Sequence, residues 1–352
     1  MNQCIAIVGA GAVGGYIGGH LARAGRRVIL IDPWPEHVES IRARGLEISG
    51  MTEAEGFTVP LDILHLTEVQ ELAKQDAIDI AIVSVKSYDT AWATALIAPY
   101  LAPLGYLVSA QNCINEATIA GVVGWERTVG CMVGNNYAVD LYEPGRVRRT
   151  SVRDPEVVSL QVGEVHGRIT PRLEALFEIM QDVDSAAMTS NLWGVRWSKL
   201  CVNAMRNGVS AATGLGGNER DAHEVIRRVV IRLGGEAVRI GMALGYELES
   251  IVGIAPRLLL AALEGDARAL ARVEQITVAG STGARRSNLQ RPSIAQDMAK
   301  GRRTEIDYMN GFVVGRAKAL GLEAPTNQAL VDLVKRVERR ELPPRPENLF
   351  DI

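Results

Sequence analysis

Cys4-Ile5-Ala6-Ile7-Val8-Gly9-Ala10-Gly11-Ala12-Val13-Gly14 decides the fold of this chain. Its first five residues are apolar without alternation, which reads as a strand buried on both faces. Three glycines follow in the spacing G-x-G-x-x-G, and the apolar pattern of 12–24 reads as a helix opening behind them. Strand, tight turn and helix N-terminus in that order form a cradle for a pyrophosphate. Gly9 permits the turn, Gly11 lets phosphates approach the backbone, and Gly14 lets the helix pack on the sheet. The free N–H groups of a first helical turn favour an anion. Gly9, Ala10, Gly11, Ala12, Val13 and Gly14 are therefore the candidate dinucleotide-binding residues.

Outward from that loop, apolar runs at 28–32, 78–85, 106–110 and 129–134 alternate with helical patterns at 35–44, 67–74 and 88–100. Such βαβ alternation builds a doubly wound parallel sheet, so the fold class is α/β with an N-terminal Rossmann domain. Residues 146–150 and 157–163 read as two closing strands, antiparallel additions to the sheet. From Pro171 the pattern is helical, in runs at 171–182, 189–213, 221–244, 255–263, 303–320 and 327–340. The expected domains are 1–168 for the cofactor and 169–352, all helical, for catalysis. The proline-rich tail 342–352 reads as an extended strap or as disordered.

The chain has 352 residues, 47% hydrophobic, and a net charge of -3, which gives no electrostatic reason to expect nucleic acid or an anionic membrane. No apolar run is long enough to span a bilayer, and the first residues carry no secretory pattern, so the expected location is cytoplasmic. Cys4, Cys113, Cys131 and Cys201 are scattered, which supports neither a metal site nor a disulfide framework. The helical half gives grounds for a homodimer.

Asp32 ends the second strand, eighteen residues past Gly14. A carboxylate there accepts hydrogen bonds from the adenosine ribose and repels a 2′-phosphate, which favours NAD over NADP. The bland account is a turn started before Pro33. In the helical half Lys199, Asn203 and Asn207 recur every fourth residue and share one face of a helix. Trp193, Trp197, Leu200, Val202 and Met205 surround them, so the stripe is buried and needs partners or a ligand. The alternative is an ordinary exposed polar face. A buried lysine suits carbonyl reduction: its ammonium stabilises the growing oxyanion and donates the proton, and burial lowers its pKa. Asn203 could hold a carboxylate or hydroxyl by its amide, so the expected partner is a small anionic substrate.

With these residues the sequence resembles the ketopantoate reductase (2-dehydropantoate 2-reductase) family along nearly the whole chain. The likeness rests on Gly9–Gly15 with Tyr16 and Gly18, Val85-Lys86-Ser87, Gln111-Asn112 and the helix from Trp197 to Asn207. It extends to Pro292-Ser293-Ile294-Ala295-Gln296-Asp297-Met298 and to Gly301-Arg302-Arg303-Thr304-Glu305-Ile306-Asp307. The resemblance implies a Rossmann domain, a helical domain like the C-terminal one of 6-phosphogluconate dehydrogenase, and an active site in the cleft between them. It implies Lys199 as catalytic lysine, with Glu305 orienting that lysine and its substrate. Asn112 lies near nicotinamide and substrate, Lys86 lines the cofactor cleft, and Asn203, Asn207 and Ser293 belong to the substrate pocket, again by resemblance. Without it, Glu305 reads as a surface salt-bridge residue.

Three features depart from the family. Asp32 stands where the family, usually NADPH-dependent, carries a basic residue; Cys113 replaces a glycine; and 280–292 is a longer connection, with Arg285, Arg286 and Arg291 either closing on an anion or solvated. The leading expectation is NAD(H)-linked interconversion of a 2-oxo and a 2-hydroxy acid, with Asp32 hinting at a catabolic direction. A 3-hydroxy-acid dehydrogenase of the 3-hydroxyisobutyrate type is the second reading, and a non-catalytic NAD-binding regulator the third.

Overall fold

β1 (Cys4–Val8) is an interior strand of an eight-stranded sheet and splits its side chains between two cores. Ile5 and Ile7 enter one hydrophobic cluster; Cys4, Ala6 and Val8 enter the other. A strand covered on both faces has no polar face to show, hence the unbroken apolar run. The computed structural model describes residues 3–281 and 292–352, so Arg285, Arg286 and Arg291 lie outside the described residues. It divides into two units, Met1–Leu192 and Trp193–Ile352.

In the first unit the strands after β1 are β2 (Arg27–Asp32), β3 (Leu46–Ser49), β4 (Phe57–Val59), β5 (Asp62–His65) and β6 (Ile78–Val83). β7 (Leu101–Ser109), β8 (Thr128–Val133), β9 (Val139–Glu143), β10 (Arg146–Arg149), β11 (Leu160–Glu164) and β12 (Ala186–Thr189) complete the set. The helices are α1 (Ala12–Arg23), α2 (Pro35–Arg44), α3 (Thr90–Ile97), α4 (Glu116–Val123) and α5 (Pro171–Gln181); 66–74 is a 3-10 helix. The large sheet runs β12-β11-β8-β7-β6-β1-β2-β5. β5, β2, β1, β6, β7 and β8 are parallel, and β11 pairs antiparallel with β8. The chain winds one way from β1 to β2 and the other way from β6 to β7. The switch point therefore falls beside β1, where doubly wound sheets bind ligands.

Two sequence expectations change. β10 does not join the large sheet; it pairs parallel with β3 and antiparallel with β9 in a second sheet ordered β4-β3-β10-β9. Glycines on α1 permit both sheets to pack against it. A Cβ on Gly18 would lie 2.6 Å from Leu30, and one on Gly19 3.0 Å from Ile48. Residues 169–192, read as part of the helical domain, sit in the first unit because β12 pairs parallel with β11.

The second unit is helical: α6 (Leu192–Thr213), α7 (Gly217–Ala222), α8 (Glu224–Ala243), α9 (Pro256–Leu263), α10 (Ala267–Ser281), α11 (Ser293–Ala299), α12 (Asn310–Ala319) and α13 (Pro325–Glu338). Close approach of α6 and α8 again needs glycine. Met205 lies 2.5 Å from a Cβ on Gly234, and the Trp197 indole N–H donates to the Ala237 carbonyl at 2.8 Å. The buried Glu236 carboxylate accepts the N–H groups of Thr326 and Asn327, capping α13 where N–H groups lack helical partners. The tail is ordered: Arg345 N–H and the Asn348 amide both donate to the Ala212 carbonyl, and Leu349 is buried.

Candidate active site

In the first unit the glycine loop needs its glycines. Gly9 takes φ +95°, and a Cβ there would meet Val85 at 2.8 Å; a Cβ on Gly14 would sit 2.0 Å from the Gly9 carbonyl oxygen. Around Gly11, by contrast, a Cβ would meet no protein atom within 4 Å. That opening, at the N-terminus of α1, is what a pyrophosphate requires, so the loop fits a dinucleotide. The Ser84 hydroxyl donates to the Gly9 carbonyl at 2.7 Å.

The Ala10 peptide is gripped on both sides. Its N–H donates to Asp32 Oδ2 at 2.9 Å. Its carbonyl accepts from His37 Nε2 at 2.9 Å, because His37 Nδ1 accepts the Gly145 N–H and the ring hydrogen is left on Nε2. Burial holds His37 below its ordinary pKa, against the pull of the Asp32 charge, so it serves as a neutral clamp. Asp32 Oδ1 also accepts the Trp34 N–H at 2.9 Å, the turn expected as the bland account. Trp34 stacks on His37 at 5.7 Å.

Lys86 and Asn112, both half-buried, follow the C-terminal ends of the parallel strands β6 and β7, on the sheet edge that carries the glycine loop and Asp32. Their loops are stitched together. The Gln111 amide donates to the Val85 carbonyl and to the Thr90 hydroxyl, each at 2.8 Å, and Asn115 donates to the Asn112 carbonyl at 2.9 Å. The structure thus gathers the cofactor candidates on one edge of one unit.

In the second unit α6 carries Lys199 half-buried, with Asn203 and Asn207 buried. Burial, with a smaller contribution from the Arg206 charge, lowers the Lys199 pKa from 10.5 to about 7. An amine at that value is divided between acid and base forms near neutrality, as a proton-transfer group should be. Glu305 is buried and opens the 3-10 turn Ile306–Tyr308. That turn lies on α6: Ile306 is 3.0 Å from a Cβ on Gly208, and the Asn207 amide faces Met309 Sδ at 3.5 Å. Glu305 is therefore no surface salt-bridge residue. Ser293 begins α11 and is half-buried.

The sequence reading missed His37 and Arg206. His37 gave no signal, since a histidine inside a short amphipathic helix reads as an ordinary one. Arg206 did: it stands seven residues, two helical turns, after Lys199.

Residues 5–160 match the family described as Ketopantoate reductase PanE/ApbA, and residues 191–338 match Ketopantoate reductase PanE/ApbA C terminal. The chain is 30% identical to a 2-dehydropantoate 2-reductase of Pyrococcus horikoshii over 95% of its own length and 97% of the relative's. It is 26% identical to one from Archaeoglobus fulgidus, covering 96% and 98%. A crystal structure of a PanE/ApbA family ketopantoate reductase from Ralstonia eutropha JMP134 superposes with a TM-score of 0.76 at 28% identity, covering 96% of this chain and 99% of that one. A D-mandelate dehydrogenase solved with NADH and anilino(oxo)acetate shares the fold at a TM-score of 0.77 and 23% identity, covering 96% and 99%. Among the described residues no helix is long and apolar enough to cross a membrane. The matches span both units and agree with the glycine loop and the lysine helix: the chain belongs to the ketopantoate reductase family of NAD(P)-dependent oxidoreductases acting on CH–OH groups.

Proposed function

We propose that this protein uses NADH to reduce a small 2-oxo acid, ketopantoate or a close relative, and oxidises the matching 2-hydroxy acid in reverse. The observation that carries the proposal is the amine of Lys199, lowered to about 7 on a helix whose same face bears Asn203 and Asn207. Bound nicotinamide supplies or accepts the hydride at the carbonyl carbon. Lys199 in its ammonium form donates a hydrogen bond to the carbonyl oxygen and then the proton; in its amine form it takes the alcohol proton. Glu305, held against α6, positions that amine and the substrate. Asn203, Asn207 and Ser293 hold the substrate's carboxylate and hydroxyl, and Asn112 belongs to the nicotinamide end of the cofactor site. The loop Gly9–Gly14 takes the pyrophosphate and Lys86 lines the cofactor site. Asp32 accepts the ribose hydroxyls; its charge favours NAD over NADP. A homodimer is part of the proposal, with size-exclusion chromatography and light scattering as its check.

A panel of 2-oxo acids, including ketopantoate and benzoylformate, should consume NADH absorbance with at least one member. The same panel of 3-oxo acids should not. Lys199→Ala should lower kcat at least a thousandfold. Turnover unchanged in that variant would refute the mechanism.

A further inference from the structure

His37 on α2 is fully buried and joins two segments far from it in the chain. Its Nε2–H donates to the Ala10 carbonyl, 27 residues earlier, and its Nδ1 accepts the Gly145 N–H, 108 residues later. Gly145 lies in the turn between β9 and β10, so one imidazole ties the second sheet to the glycine loop. The same turn is docked on α2 by a second bond, from the Ser40 hydroxyl to the Pro144 carbonyl at 2.9 Å. Gly145, at φ +76°, leaves no room for a Cβ against Ser40.

The bond to Ala10 fixes more than a buried oxygen. The Ala10 carbonyl and the Gly11 N–H belong to one planar trans peptide, in which they point in opposite directions. Holding the carbonyl on His37 therefore aims the Gly11 N–H away from the imidazole. That N–H has no partner among the described residues, and the space at Gly11 is open: a Cβ there would meet no protein atom within 4 Å. The preceding peptide is fixed separately, by the Ala10 N–H on Asp32 Oδ2 at 2.9 Å. Two successive peptides of the loop are thus set before a ligand arrives, and donors held in place lose little freedom on binding an anion.

We infer that His37 is a positioning residue of the cofactor site: through the Ala10 carbonyl it aims the Gly11 N–H at the pyrophosphate of the dinucleotide. This role rests on the loop Gly9–Gly14 taking that pyrophosphate, as proposed above; neither Lys199 nor the substrate enters it. The test is calorimetric titration of the full chain and its variants with NADH. His37→Phe keeps a ring stacked on Trp34 and removes both hydrogen bonds. Its Kd for NADH should rise about tenfold or more, the scale of one hydrogen bond to a charged group. His37→Gln offers an amide N–H and an amide oxygen in place of the two ring nitrogens, and its Kd should stay within about threefold of the wild type. Ile41→Ala, buried on the same helix, lowers Tm by opening a cavity without touching either hydrogen bond, and its Kd should also stay within about threefold. An unchanged Kd in His37→Phe, no recovery in His37→Gln, or an equal loss in Ile41→Ala would each overturn the role of His37 and leave the loop's own assignment intact. Wild-type protein that binds neither NADH nor NADPH would overturn both.

Discussion

Arg206 adds a smaller contribution to what burial does to the titration of Lys199. The two stand seven residues apart on α6, about 10 Å along the axis at 1.5 Å per residue. Two like charges at that separation repel by about 0.4 to 1.5 kcal/mol, according to the local dielectric. Arg206→Gln removes one of them and favours the ammonium, so the Lys199 pKa should rise from about 7. Reduction, which needs the protonated amine, should then persist to higher pH, its alkaline limb moving up by about 0.3 to 1 pH unit. A pH profile of kcat in the reductive direction reads this directly, and a limb that stays in place or moves down contradicts the assignment of Lys199 as the acid. At this scale the sequence disclosed the stripe of Lys199, Asn203 and Asn207 because a four-residue period is visible without coordinates. It hid the role of position 113. Cys113 takes φ +68°, a conformation glycine adopts freely, which is why a family glycine belongs there and why the cysteine costs strain. It also hid the burial of Glu305, because a Glu following two arginines looks solvated.

Elements were legible wherever both faces are covered. β1, β2 and β6 announce themselves by unbroken Ile and Val, whereas β3, β4, β5, β9 and β12 have three to five residues each and mix polar with apolar side chains. β10 reads Arg-Val-Arg-Arg, which suggests exposure, yet Arg149 is fully buried in an ion pair with Asp184. That ion pair belongs to a polar cluster under α1, and the helix itself contributes His20. Burial, then the Arg153 charge, lowers the His20 pKa from 6.5 to about 4. The ring lies 4.4 Å from Tyr16 and 5.0 Å from Phe57, and Nε2 has no hydrogen-bond partner among the described residues. Between those two pKa values the unfolded chain binds a proton that the folded one refuses. Stability is therefore complete above about 6.5 and falls as pH drops toward 4, by about 3 kcal/mol from this group. His20→Phe keeps the aromatic packing and removes the titration. Urea unfolding at pH 7.5 and 4.5 should show the wild type losing about 2 to 3 kcal/mol more than the variant. Equal losses would mean that His20 is not the acid-sensitive group of α1.

The whole molecule keeps its cofactor candidates and the lysine proposed as its acid and base in different units, Met1–Leu192 and Trp193–Ile352. Each unit is stabilised by its own contacts, so a ligand of the glycine loop should act first on the stability of the unit that contains it. A ligand present at a hundred times its Kd, bound only by the folded state, adds about 2.7 kcal/mol. NADH should supply that gain. NADPH at equal concentration should supply less, because a 2′-phosphate beside the Asp32 carboxylate meets like charge where the Ala10 and Trp34 N–H groups are already engaged. Scanning calorimetry of the full chain with each cofactor separates these outcomes. A larger rise in the transition temperature with NADH supports the assignment of Asp32, and the difference should shrink in Asp32→Asn, which keeps an acceptor for one N–H group and loses the charge. Equal shifts with both cofactors, or a larger one with NADPH, would return this chain to the phosphate-bearing dinucleotide.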